Sequence, residues 1–305
     1  MKTLVTGANG LVGYALSQLG LADTNYLSRS DVDLTDFNST KQKFLGLNPD
    51  AVIHLAAQVG GIGGNLSHSG EYFRNNILIN TNVLESARLS GVKKLISFMS
   101  TCVFPDKCSY PLNERDLHNG PPHPSNFGYA YAKRMLEVQS SAYRKEWNCD
   151  YIVAIPTNIY GPNDNFSLTE GHVVPALIHK TYLAKKNSTD LVVWGSGKPL
   201  REFVYSEDIA RLSTWALANY NDETPIIFTS GIEVTIRDLT EIVAKKMQFT
   251  GNIVFDDSKP DGQYRKPSDG SKLRSLNPNF QWTSLEKGIE KTVEWFKTNY
   301  HAIRK

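Results

Sequence analysis

Cysteine is scarce in this 305-residue chain: Cys102, Cys108 and Cys149 are the whole set, with no Cys-x-x-Cys pair. An odd, scattered set argues against a disulfide framework and a thiolate zinc site, so no metal is expected, and it fits a reducing cytoplasm. A charge excess is also missing. There are 33 Lys and Arg against 31 Asp and Glu, a net charge of +2, without the basic surplus of a nucleic-acid binder. No apolar run approaches the ~20 residues of a membrane span. The sequence opens directly on a strand pattern, so no signal peptide is expected. Internal repeats and low-complexity linkers are absent as well. The length suffices for one large domain or two smaller ones.

The first half alternates short apolar strands with helical patterns. Candidate strands are Lys2–Val5, Tyr26–Leu27, Ala51–Leu55, Leu95–Met99 and Tyr151–Ile155, apolar throughout as strands buried on both faces should be. Between them, Leu11–Leu19, Thr40–Leu45, Glu71–Leu89 and Tyr129–Trp147 carry helical spacing. The fold class is α/β, a Rossmann-type doubly wound parallel sheet. After Tyr160-Gly161-Pro162 the pattern changes. His172–Lys185 reads as a helix, Leu191–Trp194 as a strand, and Gly195–Pro199 as a turn. Thr235 with Asp238 and Thr283 with Glu286 resemble capping boxes that open two more helices. The expected division is a nucleotide-binding domain over residues 1–165, to which 204–228 return, and a smaller mixed α/β substrate lobe over 166–305.

Between the first strand and first helix lies Thr6-Gly7-Ala8-Asn9-Gly10-Leu11-Val12-Gly13, spaced G-x-x-G-x-x-G. Glycines also serve plain turns. Here, at a strand-to-helix junction, they let backbone amides approach a pyrophosphate at a helix N-terminus. Further on, Tyr129 and Lys133 lie four apart, on one helix face. A phenol of pKa about 10 is a poor acid or base at neutral pH, and an adjacent fixed cation is expected to pull it down. Ser100 follows the fourth strand and Pro156-Thr157-Asn158 follow the fifth. Both therefore sit on the carboxyl rim, where such sheets bind ligands. Ser100, Tyr129 and Lys133 together suit proton transfer at a carbonyl while a nicotinamide transfers hydride. The second strand ends Tyr26-Leu27-Ser28-Arg29 with no acidic residue at its tip. Arg29 suits a ribose 2′-phosphate, which favours NADPH over NADH.

Thr6–Gly13, Ser100 and the Tyr129-x-x-x-Lys133 pair resemble the extended short-chain dehydrogenase/reductase family, whose members act on nucleotide sugars. Further segments are similar to the branch that epimerises and then reduces GDP-4-keto-6-deoxymannose. They are Ala56–Ile62, Ser100–Pro105, Pro156–Pro162, Asp164–Phe166, His172–Leu177, Val193–Gly197, Arg201–Phe203 and Ser258–Gly262. Thr101, Phe104, Gly63-Gly64 and Gly128 depart from the commoner residues. The resemblance implies that Cys102 and His172 shuttle protons at carbons 3 and 5, and that hydride then goes to carbon 4 with Tyr129 protonating the oxygen. It implies NADP(H) bound along Gly7–Gly13, Arg29, Asp33-Leu34, Phe98-Met99-Ser100-Thr101, Lys133, Pro156-Thr157-Asn158-Ile159 and His172. It places a GDP-sugar on Lys180, Trp194, Arg201 and Asp261, and it implies a homodimer formed through the two long helices.

Three other readings remain open from the residues. One is a sibling reductase of another GDP-4-keto sugar, such as a heptose. Another is a 4-epimerase or 4,6-dehydratase holding NAD(H) tightly. The third is a binding module with a residual site.

Overall fold

Six short strands form one parallel sheet, and every one except the strand at one edge is buried on both faces. In a computed structural model describing residues 1–60, 64, 67–259 and 261–304, these are β1 (Thr3–Thr6), β2 (Thr24–Leu27), β3 (Ala51–His54), β4 (Lys94–Phe98), β5 (Asp150–Pro156) and β9 (Ile226–Phe228). Gly61, Ile62 and Gly63, and Pro260 of the later segment, lie outside the described residues. The strand order is β2-β1-β3-β4-β5-β9. It reverses direction between β1 and β3, the switch point where doubly wound sheets open a crevice. Residues 226–228 thus return to the first sheet.

Successive side chains point to opposite faces of a strand, and the two faces feed two cores. Leu4, Val52, Leu95, Tyr151 and Val153 pack under α2 (Phe37–Leu47), α3 (Ser69–Leu89) and α4 (Phe127–Trp147). Val5, Ile53, Ile96, Ile152 and Ala154 pack under α1 (Leu11–Gln18) and α6 (Ser206–Asn219). This two-sided burial is why the strands read as continuous apolar runs.

The remaining chain builds a third core from α5 (Val173–Asn187), α7 (Ile236–Met247) and α9 (Leu285–Asn299). Two small sheets accompany it. β6 (Asn158–Tyr160) runs parallel to β8 (Leu200–Tyr205), which pairs antiparallel with β10 (Glu233–Thr235). β7 (Leu191–Trp194) runs parallel to β11 (Ile253–Asp256). A short α8 (Ser271–Leu276) lies between. Thr235 caps α7 as expected, accepting from the Asp238 N–H. The cap on α9 is one residue later than expected: Ser284 accepts from Lys287 N–H. Thr283 is drawn away because its N–H and hydroxyl both donate to the buried Asp208 carboxylate, at 2.8 and 2.9 Å.

Candidate active site

The glycine turn leaves β1 with Gly7 in a left-handed conformation (φ +75°), where a side chain is strained and a Cβ would lie 2.8 Å from the Ala56 nitrogen. A Cβ on Gly13 would lie 2.6 Å from the Ala8 carbonyl oxygen. Ala8 N–H donates to Leu27 O and Gly10 N–H to Gly7 O, which closes the turn over Asn9. Gly10 is the N-cap of α1 and supplies no side-chain cap. The N–H groups of Leu11 and Val12 in the first turn therefore lack intrahelical partners and present positive charge. Glycine-lined backbone and uncapped donors together fit a pyrophosphate. At the end of β2, Arg29 is exposed. Asp33 accepts from the Thr35 N–H and hydroxyl through one oxygen, and those bonds hold its carboxyl below the usual range. The Leu34 carbonyl is fixed by Asn82 Nδ2 at 2.9 Å. Asp31 turns back to accept from Ser28, so an acidic group does stand beside this tip.

On the opposite side of the switch point, α4 carries Tyr129 and Lys133, both buried. Lys133 Nζ donates to Phe98 O at the end of β4 (2.9 Å). Burial lowers the ammonium to about 8, while neighbouring Cys102 works in the opposite direction. The phenol departs from expectation. Burial, with Cys102 adding to it, pushes Tyr129 up rather than down, so the group here is a neutral proton donor. Beneath the rim, His54 bridges Thr6 (2.8 Å) and Asn80 (3.2 Å). Burial first, then the Lys133 charge, lowers it to about 3. Asn80 Nδ2 also donates to Ala132 O, one residue before Lys133. Asparagines at 76 and 80, an i,i+4 pair on the buried face of α3, were the available signal for this support.

Ser100 ends β4's extension and caps one turn of 3-10 helix, Thr101–Val103, which carries Cys102. The Cys102 N–H points at Ser100 Oγ (3.5 Å), and the serine side chain also hydrogen-bonds the Cys102 thiol. Arg134, on α4, donates to Val103 O (2.6 Å) and Gly120 O (2.8 Å). The turn that carries the thiol is thereby tied to the helix that carries the Tyr129 phenol. Burial raises the half-buried Cys102 thiol; the Ser100 hydrogen bond, Lys266 and Lys133 pull it down. Met99 N–H bonds Ala154 O and Thr157 N–H bonds Phe228 O, fixing the Phe98–Thr101 and Pro156–Ile159 segments along the rim. The Thr157 hydroxyl is buried without a described partner. Asn158 Nδ2 reaches Glu202 O.

His172 is the exposed N-cap of α5. Its electrostatic neighbour is Asp164, whose buried carboxyl is raised to about 6 by burial, against the opposing pull of His172. The four substrate candidates fall on four separate segments. Lys180 stands 4.7 Å from the exposed Trp194 ring centroid, a cation–π contact. Burial pulls the Arg201 guanidinium down, and it faces Asp261 and Gly262. Asp261 is occupied, bracing the Gly195–Ser196 turn through Ser196 N–H (2.6 Å) and hydroxyl (2.7 Å). Asp164, whose charge acts on His172, lay inside the matched segment Asp164–Phe166 but had no role expected of it.

A nucleotide cradle, a tyrosine–lysine acid pair and a rim thiol on a doubly wound sheet define a nicotinamide-type nucleotide-sugar enzyme. The chain belongs to the NAD dependent epimerase/dehydratase family, whose model matches residues 3–231. Within it, the chain is similar to a GDP-L-fucose synthase of Dictyostelium discoideum, 47% identical over 99% of this chain and 97% of that one. A solved GDP-L-fucose synthetase from Naegleria fowleri bound to NADP superimposes with a TM-score of 0.95 at 45% identity, covering 99% of this chain and 94% of the other. A GDP-6-OMe-4-keto-L-xylo-heptose reductase from C. jejuni is more distant. It has a TM-score of 0.89 and 25% identity, with 97% of each chain covered.

Proposed function

We propose that the protein is an NADPH-dependent epimerase/reductase that converts GDP-4-keto-6-deoxy-D-mannose to GDP-L-fucose. The observation that carries this reading is Cys102. A 4-keto reductase needs the serine, tyrosine and lysine, whereas a rim thiol on a turn braced by Arg134 of the tyrosine's helix adds a base for the carbons beside the ketone. Among the relatives, the GDP-L-fucose synthases outrank the heptose reductase in identity, 47% against 25%.

Protons on carbons 3 and 5 are acidic because the resulting charge delocalises into the 4-keto oxygen. The Cys102 thiolate removes such a proton. The neutral Tyr129 phenol and the Ser100 hydroxyl donate to the oxygen and stabilise the enolate. His172, from the lobe side, returns a proton to the opposite face and inverts the centre. The nicotinamide supplies hydride to carbon 4 when bound, and Tyr129 delivers its proton to the oxygen. Lys133, anchored to Phe98 O, keeps a cation beside the phenol as it loses that proton. Gly7, Ala8, Asn9, Gly10, Leu11, Val12 and Gly13 hold the pyrophosphate, Arg29 the 2′-phosphate, and Asp33 the adenine. Lys180, Trp194, Arg201 and Asp261 hold the GDP-sugar.

We further propose a reducing cytoplasmic setting, on the three unpaired cysteines, and a homodimer through α3 and α4. Phe73, Phe127 and Val138 stand exposed on those helices. No helix among the described residues is long and apolar enough to cross a membrane.

The test is NADPH oxidation with GDP-4-keto-6-deoxymannose, with the product identified by NMR. GDP-L-fucose is expected. The un-epimerised 6-deoxy sugar, or turnover only with a heptose substrate, would move the protein to the sibling reductases.

A further inference from the structure

The glycine turn that leads into α1 is touched by the sugar lobe as well as by its own sheet. Its crown, Asn9, is exposed, and the Asn9 carbonyl accepts from Asn163 Nδ2 at 3.1 Å. No backbone amide of the described residues bonds that carbonyl. Asn163 follows Tyr160-Gly161-Pro162 and takes a left-handed conformation (φ +62°), which asparagine tolerates better than most residues. The Asn163 carbonyl in turn accepts from the Arg304 guanidinium, and Phe166 N–H donates to Arg304 O (2.9 Å). Arg304 therefore grips the 163–166 turn at both ends. The grip is anchored in the lobe: Ile303 is buried in its core, and Ala302 N–H donates to Asn299 O (2.8 Å) at the end of α9.

A second contact runs beside the first. Trp295 of α9 donates through Nε1 to the Tyr14 hydroxyl of α1 (3.1 Å), with the two rings edge-to-face at 6.0 Å. Trp295 also stacks on Phe166, with 6.0 Å between centroids and 16° between planes. The two contacts differ in what they control. Trp295 packs one helix on another, whereas Asn163 acts on a single peptide group. The Asn9–Gly10 peptide is planar, so holding its carbonyl sets the plane from which α1 begins. The Leu11 and Val12 N–H groups, without intrahelical partners, come directly after it. The glycines at 7 and 10 give the turn backbone freedom, and the lobe removes it. We propose that Asn163 and Arg304 are positioning residues for the cofactor: acting in series on the Asn9 carbonyl, they aim the first amides of α1 at the pyrophosphate.

This inference rests on the glycine turn being the NADPH cradle, so its test reads the turn with and without cofactor. The full-length protein is titrated with NADPH by fluorescence. Amide hydrogen exchange of the peptide covering residues 7–14 is followed by mass spectrometry in the absence of NADPH. Asn163→Asp keeps the shape and the left-handed backbone but replaces the donating Nδ2 with an acceptor. Arg304→Met removes the guanidinium and keeps the apolar stem. In each, the Kd for NADPH should rise about fivefold, the scale of one hydrogen bond, and the 7–14 peptide should exchange faster. The KM for the GDP-sugar and kcat at saturating NADPH should stay within twofold, a split that general loosening of the fold does not give. Arg304→Lys should restore most of the affinity. Because the two residues act in series, the double variant should also lose only about fivefold, against the ~25-fold of independent effects. If either variant fails to fold, Asn163→Gly or Arg304→Gln is judged by the same criteria. An unchanged Kd with unchanged exchange in folded variants overturns the inference, as does a parallel loss in kcat and both KM values. Faster exchange in the variants of a protein that binds no NADPH keeps the brace on Asn9 and overturns the cofactor reading.

Discussion

The proposed cofactor wall and the proposed sugar wall differ in how their residues reach one another. Gly7, Gly10 and Gly13 fall within seven consecutive residues, and a single helix, α4, supplies Tyr129, Lys133 and the Arg134 brace. Lys180, Trp194, Arg201 and Asp261 instead come from α5, β7, β8 and the segment before α8. The first wall is fixed by backbone geometry on a buried parallel sheet. The second is fixed by side chains that brace one another, such as Asp261 on Ser196 and Glu202 on Ser268. Local motifs supported by a sheet tolerate little change. A wall assembled from distant segments allows the sugar to vary while the redox chemistry stays constant, which is consistent with a heptose reductase sharing the fold at 25% identity.

Substitutions can break this comparison, and the largest effect is expected on α4. Tyr129→Phe removes the proton donor for the carbon-4 oxygen without altering the packing. NADPH oxidation should fall about a thousandfold, within the range typical of a positioned acid, with NADPH binding nearly unchanged; a loss below tenfold would remove Tyr129 from that role. Next is Gly13→Ala. Its Cβ would meet the Ala8 carbonyl at 2.6 Å, so the turn must open. NADPH affinity, read by fluorescence titration, should weaken at least tenfold, with about 1–3 kcal/mol lost in stability. An unchanged Kd would mean that the cradle yields without cost.

Arg29→Asp probes the exposed tip of β2 and should weaken NADPH by roughly tenfold or more while leaving NADH little changed. Asp31, already turned onto Ser28, makes this the most informative test of cofactor choice. Comparable kcat/KM values for the two cofactors in the unmodified enzyme would defeat the assignment.

Much of this architecture was legible because burial leaves a trace in composition. The five strands expected in the first half lie within one or two residues of the observed ones, since two-sided burial forces apolar runs. The capping of α9 was misplaced by one residue because Thr283 and Ser284 are equally good caps in isolation. Only the tertiary contact with Asp208 decides between them. The three-residue strands β6 and β10 left no periodicity to read. In the site, contiguous motifs were legible but the electrostatics within them were not: Asp164, inside a matched segment, acquires a role only where the fold sets it beside His172. The expected low phenol pKa failed for the same reason, since the depth of Tyr129 is not written in the residues around it.

The smallest effect lies on the sugar side. The Asp164 carboxyl sits at about 6 when folded, above the ~3.9 of an exposed aspartate. Its proton is favoured by folding, so the stability it contributes is present below pH ~4 and is lost as pH rises through 6. Asp164→Asn keeps the group neutral at every pH. It should raise Tm by a few degrees at pH 8 and hardly at all at pH 4. Equal shifts at both values would mean that the carboxyl titrates normally.

The division of proton work between Tyr129 and Cys102 is tested most directly by deuterium exchange into GDP-4-keto-6-deoxymannose at carbons 3 and 5, followed by NMR alongside NADPH oxidation. Tyr129→Phe should still exchange protons, more slowly because the enolate loses one of its two donors, without oxidising NADPH. Cys102→Ser should oxidise NADPH to the un-epimerised 6-deoxy sugar with exchange reduced a hundredfold or more, since a serine hydroxyl is far too weak an acid to serve as the base. Exchange and epimerisation at the normal rate in Cys102→Ser would make Cys102 a packing residue and the protein a pure 4-keto reductase.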